Sequence, residues 1–83
     1  FPDFIRSIEG VEAALMIFEI EDNLCRMNFR SKGKIIVNTI AKSFSGGGHA
    51  FASGAVFHKP INEAKKIIVD KTRKMIQEQL DRI

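Results

Sequence analysis

The clearest pattern in the chain lies in the segment Leu24 to Ser31, where apolar and polar residues alternate strictly from Cys25 to Arg30. One parity is apolar and the other is polar, since Cys25, Met27 and Phe29 alternate with Arg26, Asn28 and Arg30. Side chains of a strand point alternately to opposite faces, so this segment is predicted to be a half-buried strand. The preceding run, Val11 to Ile20, is almost continuously apolar and predicts a central strand buried on both faces. The polar residues between the two predict a hairpin.

The end of the chain has helical periodicity. Apolar residues recur at steps of three and four from Ile61 to Ile83, after Pro60, and predict an amphipathic helix of about six turns. Asn38 is predicted to be the N-cap of a two-turn helix that ends at Ser45.

Three shorter elements complete the prediction. Phe1 to Glu9 predicts one short turn of helix, Ala50 to Ser53 a short helix stopped by Gly54, and Ala55 to His58 a short strand. The expected fold class is therefore α/β, a small mixed β-sheet with helices packed on it and a long C-terminal amphipathic helix.

Composition limits what such a chain can be. Its 83 residues are enough for one domain, 1–83, and the first residue is Phe1, so we expect a fragment of a larger protein. No apolar run approaches the roughly 20 residues needed to span a bilayer, so no membrane role is expected. One cysteine, Cys25, excludes an internal disulfide and suits the cytoplasm, and with two histidines it leaves no set of ligands for structural zinc.

Charge is unevenly distributed. Residues 1–22 carry six acidic side chains and one basic one, whereas residues 23–74 carry eleven basic and two acidic ones. A segregated positive region favours an anionic ligand such as a phosphate or a nucleic acid, although a solvated helix face has the same composition.

Two motifs carry candidate chemistry. Gly46, Gly47 and Gly48 precede His49, and glycine lets a backbone approach a ligand and turn its amides toward an anion. If a helix starts at Ala50, its free amides add to that attraction. Arg30, followed by Ser31, lies on the polar face of its strand, where a guanidinium can bind phosphate through two hydrogen bonds. A flexible surface loop and a solvated arginine are the alternatives.

The run FRSKGKIIVNTIAKSFSGGGHAFASGA, which begins at Phe29, closely resembles the DHH-associated C-terminal domain of DHH-family phosphoesterases. The resemblance is to the branch of oligoribonucleases that also act as 3'-phosphoadenosine 5'-phosphate phosphatases. It rests on the Arg-Ser pair, the Gly-Gly-Gly-His motif and the Ala-Ser-Gly segment. The chain departs from the family pattern at Ser45, where many relatives have glycine, and at Ile36, where an acidic residue is common.

The resemblance implies that substrate binding and catalysis belong to two different domains. A catalytic DHH domain, upstream in the same chain, would hold Mn²⁺ or Mg²⁺ and hydrolyse the phosphoester. The present domain would bind the substrate, a short oligonucleotide or a phosphonucleotide, and contain no catalytic residue and no metal. It implies that the substrate-binding residues are Arg30, Ser31, Gly46, Gly47, Gly48 and His49.

Other functions remain open at this stage. Similar domains belong to cyclic-dinucleotide phosphodiesterases and to single-strand DNA exonucleases, and others attached to tRNA-charging enzymes resemble non-catalytic nucleic-acid-binding modules. A structural domain with a solvated basic face is the remaining alternative. The sequence leaves the oligomeric state open.

Overall fold

A computed structural model describes residues 4–8, 13–33 and 35–82, of which 4–8 are described by their backbone alone. The elements are β1 (Phe4–Ile8), β2 (Ala13–Glu21), β3 (Leu24–Ser31), α1 (Asn38–Lys42), β4 (Gly47–His49), β5 (Ala52–Phe57) and α2 (Ile61–Asp81). The five strands form one sheet in the order β1-β2-β3-β5-β4. The α/β class and the long C-terminal helix are confirmed. The four strand pairings among these residues are all antiparallel, where a mixed sheet was expected.

The core lies between one face of the sheet and the helices. The apolar parity of β3 is fully buried, as predicted, and alternate residues of β2 join it. From α2, Ala64, Ile68 and Ile76 pack into the same cluster, and Ile40 and Ala41 do so from α1. In β2 the other parity is only half-buried, so this strand is not buried on both faces as expected, and β3 is the central strand.

Two predicted helices are strands or turns. Residues 4–8 form β1, which pairs with β2, so the short helix predicted over 1–9 is wrong there, and residues 1–3 and 9 lie outside the described part. Ala50 and Phe51 are a turn, and β5 begins at Ala52, so the helix predicted over Ala50–Ser53 is wrong. Both segments are too short to form a helix without tertiary support, and the neighbouring strands supply a pairing that satisfies their backbone.

The start and end of α1 also differ from the prediction. Asn38 is the first helical residue and Val37 is the N-cap, with no side-chain cap hydrogen bond. The helix ends at Lys42 and is closed by two backbone hydrogen bonds: the Gly46 N–H donates to Ala41 at 2.8 Å and the Ser45 N–H donates to Lys42 at 2.9 Å. This pair of bonds is a Schellman motif, and it places Ser45 in the left-handed region with φ of 65°.

Candidate functional site

The sheet face opposite the helices brings together two of the sequence-predicted residues. Arg30 of β3 pairs with Ala52 of β5, and Ala52 pairs with His49 of β4. Residues directly opposite each other in an antiparallel pair project from the same face, so Arg30, Ala52 and His49 form one row. Adjacent strands lie about 5 Å apart, which separates the Cα atoms of Arg30 and His49 by roughly 10 Å. Both of these side chains are exposed, with only the small Ala52 between them.

The hairpin that presents His49 is fixed to the rest of the fold. His49 and Ala52 pair on either side of the turn formed by Ala50 and Phe51. The Val37 N–H donates to the carbonyl of Ala50 at 2.7 Å, and the Ser31 N–H donates to the carbonyl of Phe51 at 2.9 Å. These two long-range bonds hold the turn, and with it the His49 backbone, in register with β3.

The glycines of the triplet have different structural roles. A Cβ on Gly46 would lie 2.5 Å from the Cβ of Ala55 and closer still to the carbonyl oxygen of Gly54. Gly48 has φ of +142°, and its Cβ would lie 2.7 Å from the Cα of Ser53. The fold itself therefore requires glycine at both positions.

Gly47 is the exception. A Cβ there would meet no atom within 4 Å, and its φ is not in the left-handed region. Gly47 is exposed and pairs with Gly54, which lies beside Asn28 in the next row of the open face. Packing and backbone conformation do not explain why this residue is a glycine, whereas a ligand that approaches its backbone would.

Ser31 does not join this face. It pairs with Ala13, whose side chain is in the core, so the strand alternation directs the Ser31 side chain away from Arg30. Its hydroxyl accepts hydrogen bonds from the amides of Gly33 and Ile35, each at 3.3 Å. The structure thus gives Ser31 a role in the turn after β3, and ligand binding by its hydroxyl stays a prediction.

The attraction expected from a helix N-terminus at Ala50 is absent, because a turn and then β5 follow His49 directly, in place of a helix. What remains for binding an anion is the Arg30 guanidinium, the His49 ring and the backbone amides of the glycine strand. These are hydrogen-bond donors without an adjacent carboxylate in their row. Donors of this kind can bind phosphate oxygens.

The described residues include no group of three or more His, Cys, Asp or Glu side chains that could hold a metal ion. The resemblance places Mn²⁺ or Mg²⁺ in the upstream domain, and that expectation stays a prediction. None of the helices over 4–8, 13–33 and 35–82 is long and apolar enough to cross a membrane.

Comparison with known proteins agrees with these motifs. The profile of the DHHA1 domain matches residues 1–79. The chain belongs to the DHHA1 domain family. It is also 42% identical, over 64 residues, to the bifunctional oligoribonuclease and PAP phosphatase NrnA of Bacillus subtilis (strain 168). That match covers 77% of this chain and 20% of the relative, so the chain spans about a fifth of the protein that it matches. The resemblance inferred from the sequence motifs is confirmed.

Sequence reasoning placed Asn28 on the polar face of β3 without naming it as a site residue, and it missed Gly54. Asn28 lies between Arg26 and Arg30 on the polar parity of β3, and its side-chain oxygen would be 2.8 Å from a Cβ on Gly54. The alternation of β3 was enough to place Asn28 beside Arg30. Gly54 was identified only as a helix stop, because its true place depends on the pairing of β5 with β3.

Proposed function

We propose that this domain is the substrate-binding part of a DHH-family phosphoesterase that hydrolyses short oligonucleotides, 3'-phosphoadenosine 5'-phosphate, or both. The observation that carries the proposal is the row of Arg30 and His49 on an open sheet face beside Gly47, a glycine that the fold does not require. The relative from Bacillus subtilis is a bifunctional oligoribonuclease and PAP phosphatase, which supports this choice of substrate.

In the proposed complex, one substrate phosphate lies over Ala52 and the Gly47 backbone. The Arg30 guanidinium donates two hydrogen bonds to its oxygens, and the His49 ring donates another from the opposite side. Ala52 and Gly47 have little or no side chain, so the phosphate can approach the sheet closely. The backbones of Gly46, Gly48 and Ser31 form part of the sheet around this phosphate.

The hydrolytic step belongs to another domain of the same polypeptide in this proposal. That domain would supply Mn²⁺ or Mg²⁺ and the attacking water, and we place the whole enzyme in the cytoplasm. The residues of the present domain orient the phosphoester and hold its negative charge, which lowers the barrier only if the contacts persist in the transition state.

The decisive variants are His49→Ala and Gly47→Ala in the full-length protein. Loss of one hydrogen bond to a charged phosphate is expected to raise KM roughly tenfold or more and to lower kcat if the bond persists in the transition state. Gly47→Ala is expected to weaken substrate binding with an unchanged melting temperature, because its Cβ meets only open space in the free protein.

Lys42→Gln is a suitable control, since Lys42 is exposed on α1 and lies outside the row. Unchanged kinetics in both His49→Ala and Gly47→Ala would refute the assignment of the site. Nucleotide binding that is lost in these variants, in a full-length protein that hydrolyses none of the substrates, would instead identify a non-catalytic nucleic-acid-binding module.

A further inference from the structure

A second basic surface adjoins the proposed site. The β4–β5 ladder ends at the Gly47–Gly54 pair, while β5 continues to Phe57, so no described strand lies beside the outer edge of Ala55–Phe57. An open groove of about 870 Å³ follows this edge, and we call it the edge groove. It is lined by Arg26 of β3, by part of β5, by the turn after α1, by the link between β5 and α2, and by α2 itself.

The charged side chains that line the edge groove are all basic. Its titratable residues are Arg26, His58, Lys59 and Lys71, and none of the lining residues that the structure describes is acidic. Lys71 is held in position, because its ammonium donates to the Ser43 carbonyl at 2.9 Å and lies 4.7 Å from the centre of the Phe44 ring. Arg26, Lys59 and Lys71 come from different elements, so they surround the groove rather than form one solvated helix face.

The edge groove is continuous with the proposed phosphate site. Gly46 and Gly54 line it, and Gly54 is also the partner of Gly47 on the open face. Arg26 and Arg30 lie on the same parity of β3, four residues apart, which separates them by about 13 Å at a rise of roughly 3.3 Å per residue. Strand side chains stand roughly perpendicular to the sheet, so the two arginine side chains leave it at points about this far apart.

Resting on the function proposed above, we propose that the edge groove is a second phosphate subsite, which binds the continuing strand of an oligonucleotide beyond the phosphate held by Arg30 and His49. A mononucleotide is too short to reach it. Arg26 and Lys59 then determine how strongly the domain prefers oligonucleotides over a mononucleotide substrate.

An acidic extended peptide is the competing occupant, since a free strand edge can accept another strand. The exposed large apolar side chains in the groove are only Val56 and Ile67, which offers such a peptide little apolar area to bury. Positive charge on several sides and a floor shared with Gly46 and Gly54 favour a polyanion that already occupies the open face.

The test compares ligands of different length on the full-length protein, with the divalent metal removed to prevent turnover. The probes are a 5'-phosphorylated pentaribonucleotide and 3'-phosphoadenosine 5'-phosphate. We expect Arg26→Gln and Lys59→Gln each to raise the Kd for the pentanucleotide roughly threefold to fivefold and to leave the Kd for the mononucleotide unchanged. Each variant should also reduce the salt slope of pentanucleotide binding by about 0.7, the value for one phosphate contact on a single strand.

Lys65→Gln is the matched control, because it removes the same charge from an exposed position of α2 outside the groove. An unchanged pentanucleotide Kd in Arg26→Gln and Lys59→Gln, or an equal loss for both ligands, would overturn the second subsite. A loss for both ligands in Arg30→Gln would still support the function proposed above. Binding of a pentaglutamate peptide that Arg26→Gln abolishes, with unchanged pentanucleotide binding, would assign the groove to an acidic peptide instead.

Discussion

The side-chain amide of Gln79 forms hydrogen bonds with both the N–H and the carbonyl group of the Ile36 backbone. Its Oε1 accepts from the Ile36 N–H at 2.8 Å, and its Nε2 donates to the Ile36 carbonyl at 2.8 Å. Gln79 lies near the end of α2, whereas Ile36 lies in the segment that enters α1. The two hydrogen bonds therefore tie the long helix to the loop that positions α1.

Gln79→Met is expected to lower the free energy of unfolding by about 1–2 kcal/mol, because it removes both hydrogen bonds to Ile36 and a longer one to the Thr39 hydroxyl at 3.5 Å, and keeps the length of the side chain. Gln77→Met is the control. Gln77 donates only to Asp81, one turn along the same helix, at 2.9 Å, and its replacement should cost about 0.2–0.5 kcal/mol. Urea denaturation of both variants measures the difference, and equal losses would contradict the role given to Gln79.

Ser45 is a non-glycine residue at the left-handed position that ends α1, with φ of 65°. Ser45→Gly is expected to raise the free energy of unfolding by about 0.5–1 kcal/mol, because glycine adopts this conformation without a steric penalty. Ser45→Ala keeps the penalty and should leave stability nearly unchanged. A Ser45→Gly variant no more stable than Ser45→Ala in thermal unfolding would contradict this account.

The sequence correctly predicted the elements that have a regular pattern of apolar and polar residues of their own. The parity of β3 places Arg30 on the open face, and the periodicity after Pro60 gives α2, which begins at Ile61. Both patterns are long enough to outweigh local ambiguity.

The failures have a common physical cause. The segment Ala50 to Ser53 is rich in alanine, which favours a helix, yet its backbone pairs with β3 and β4. Such a pairing with distant strands cannot be predicted from the helix or strand preferences of the segment itself. For the same reason, the row of Arg30 and His49 depends on the register of three strands. The sequence predicts the residue types of the site, and the alternation of β3 already directs Ser31 away from Arg30, but only the strand pairing brings His49 into the row of Arg30.

The glycine triplet allows a comparison of two neighbouring positions. Gly46→Ala is expected to destabilise the chain by about 1–3 kcal/mol, since its Cβ would clash with Ala55 and with the backbone of Gly54. Gly47→Ala should change the free energy of unfolding by less than about 0.5 kcal/mol, because the position is open and exposed. Chemical denaturation of the two variants is the measurement. A large loss in Gly47→Ala would mean that the fold, and not a ligand, accounts for that glycine.

Thr72 is the one buried polar residue among those that the structure describes, with 3% of its surface exposed. Its hydroxyl oxygen has no hydrogen-bond partner, although it lies in the middle of α2 on the face that packs against the sheet. An unpaired buried hydroxyl costs about 1–3 kcal/mol, so Thr72→Val is expected to raise the free energy of unfolding by about 1 kcal/mol. Thr72→Ser separates the two atoms, because it keeps the hydroxyl and removes the methyl group, and should lower stability by about 1 kcal/mol. A loss of stability in Thr72→Val would show that the hydroxyl makes a hydrogen bond in solution, either to a water molecule or to a backbone carbonyl of α2.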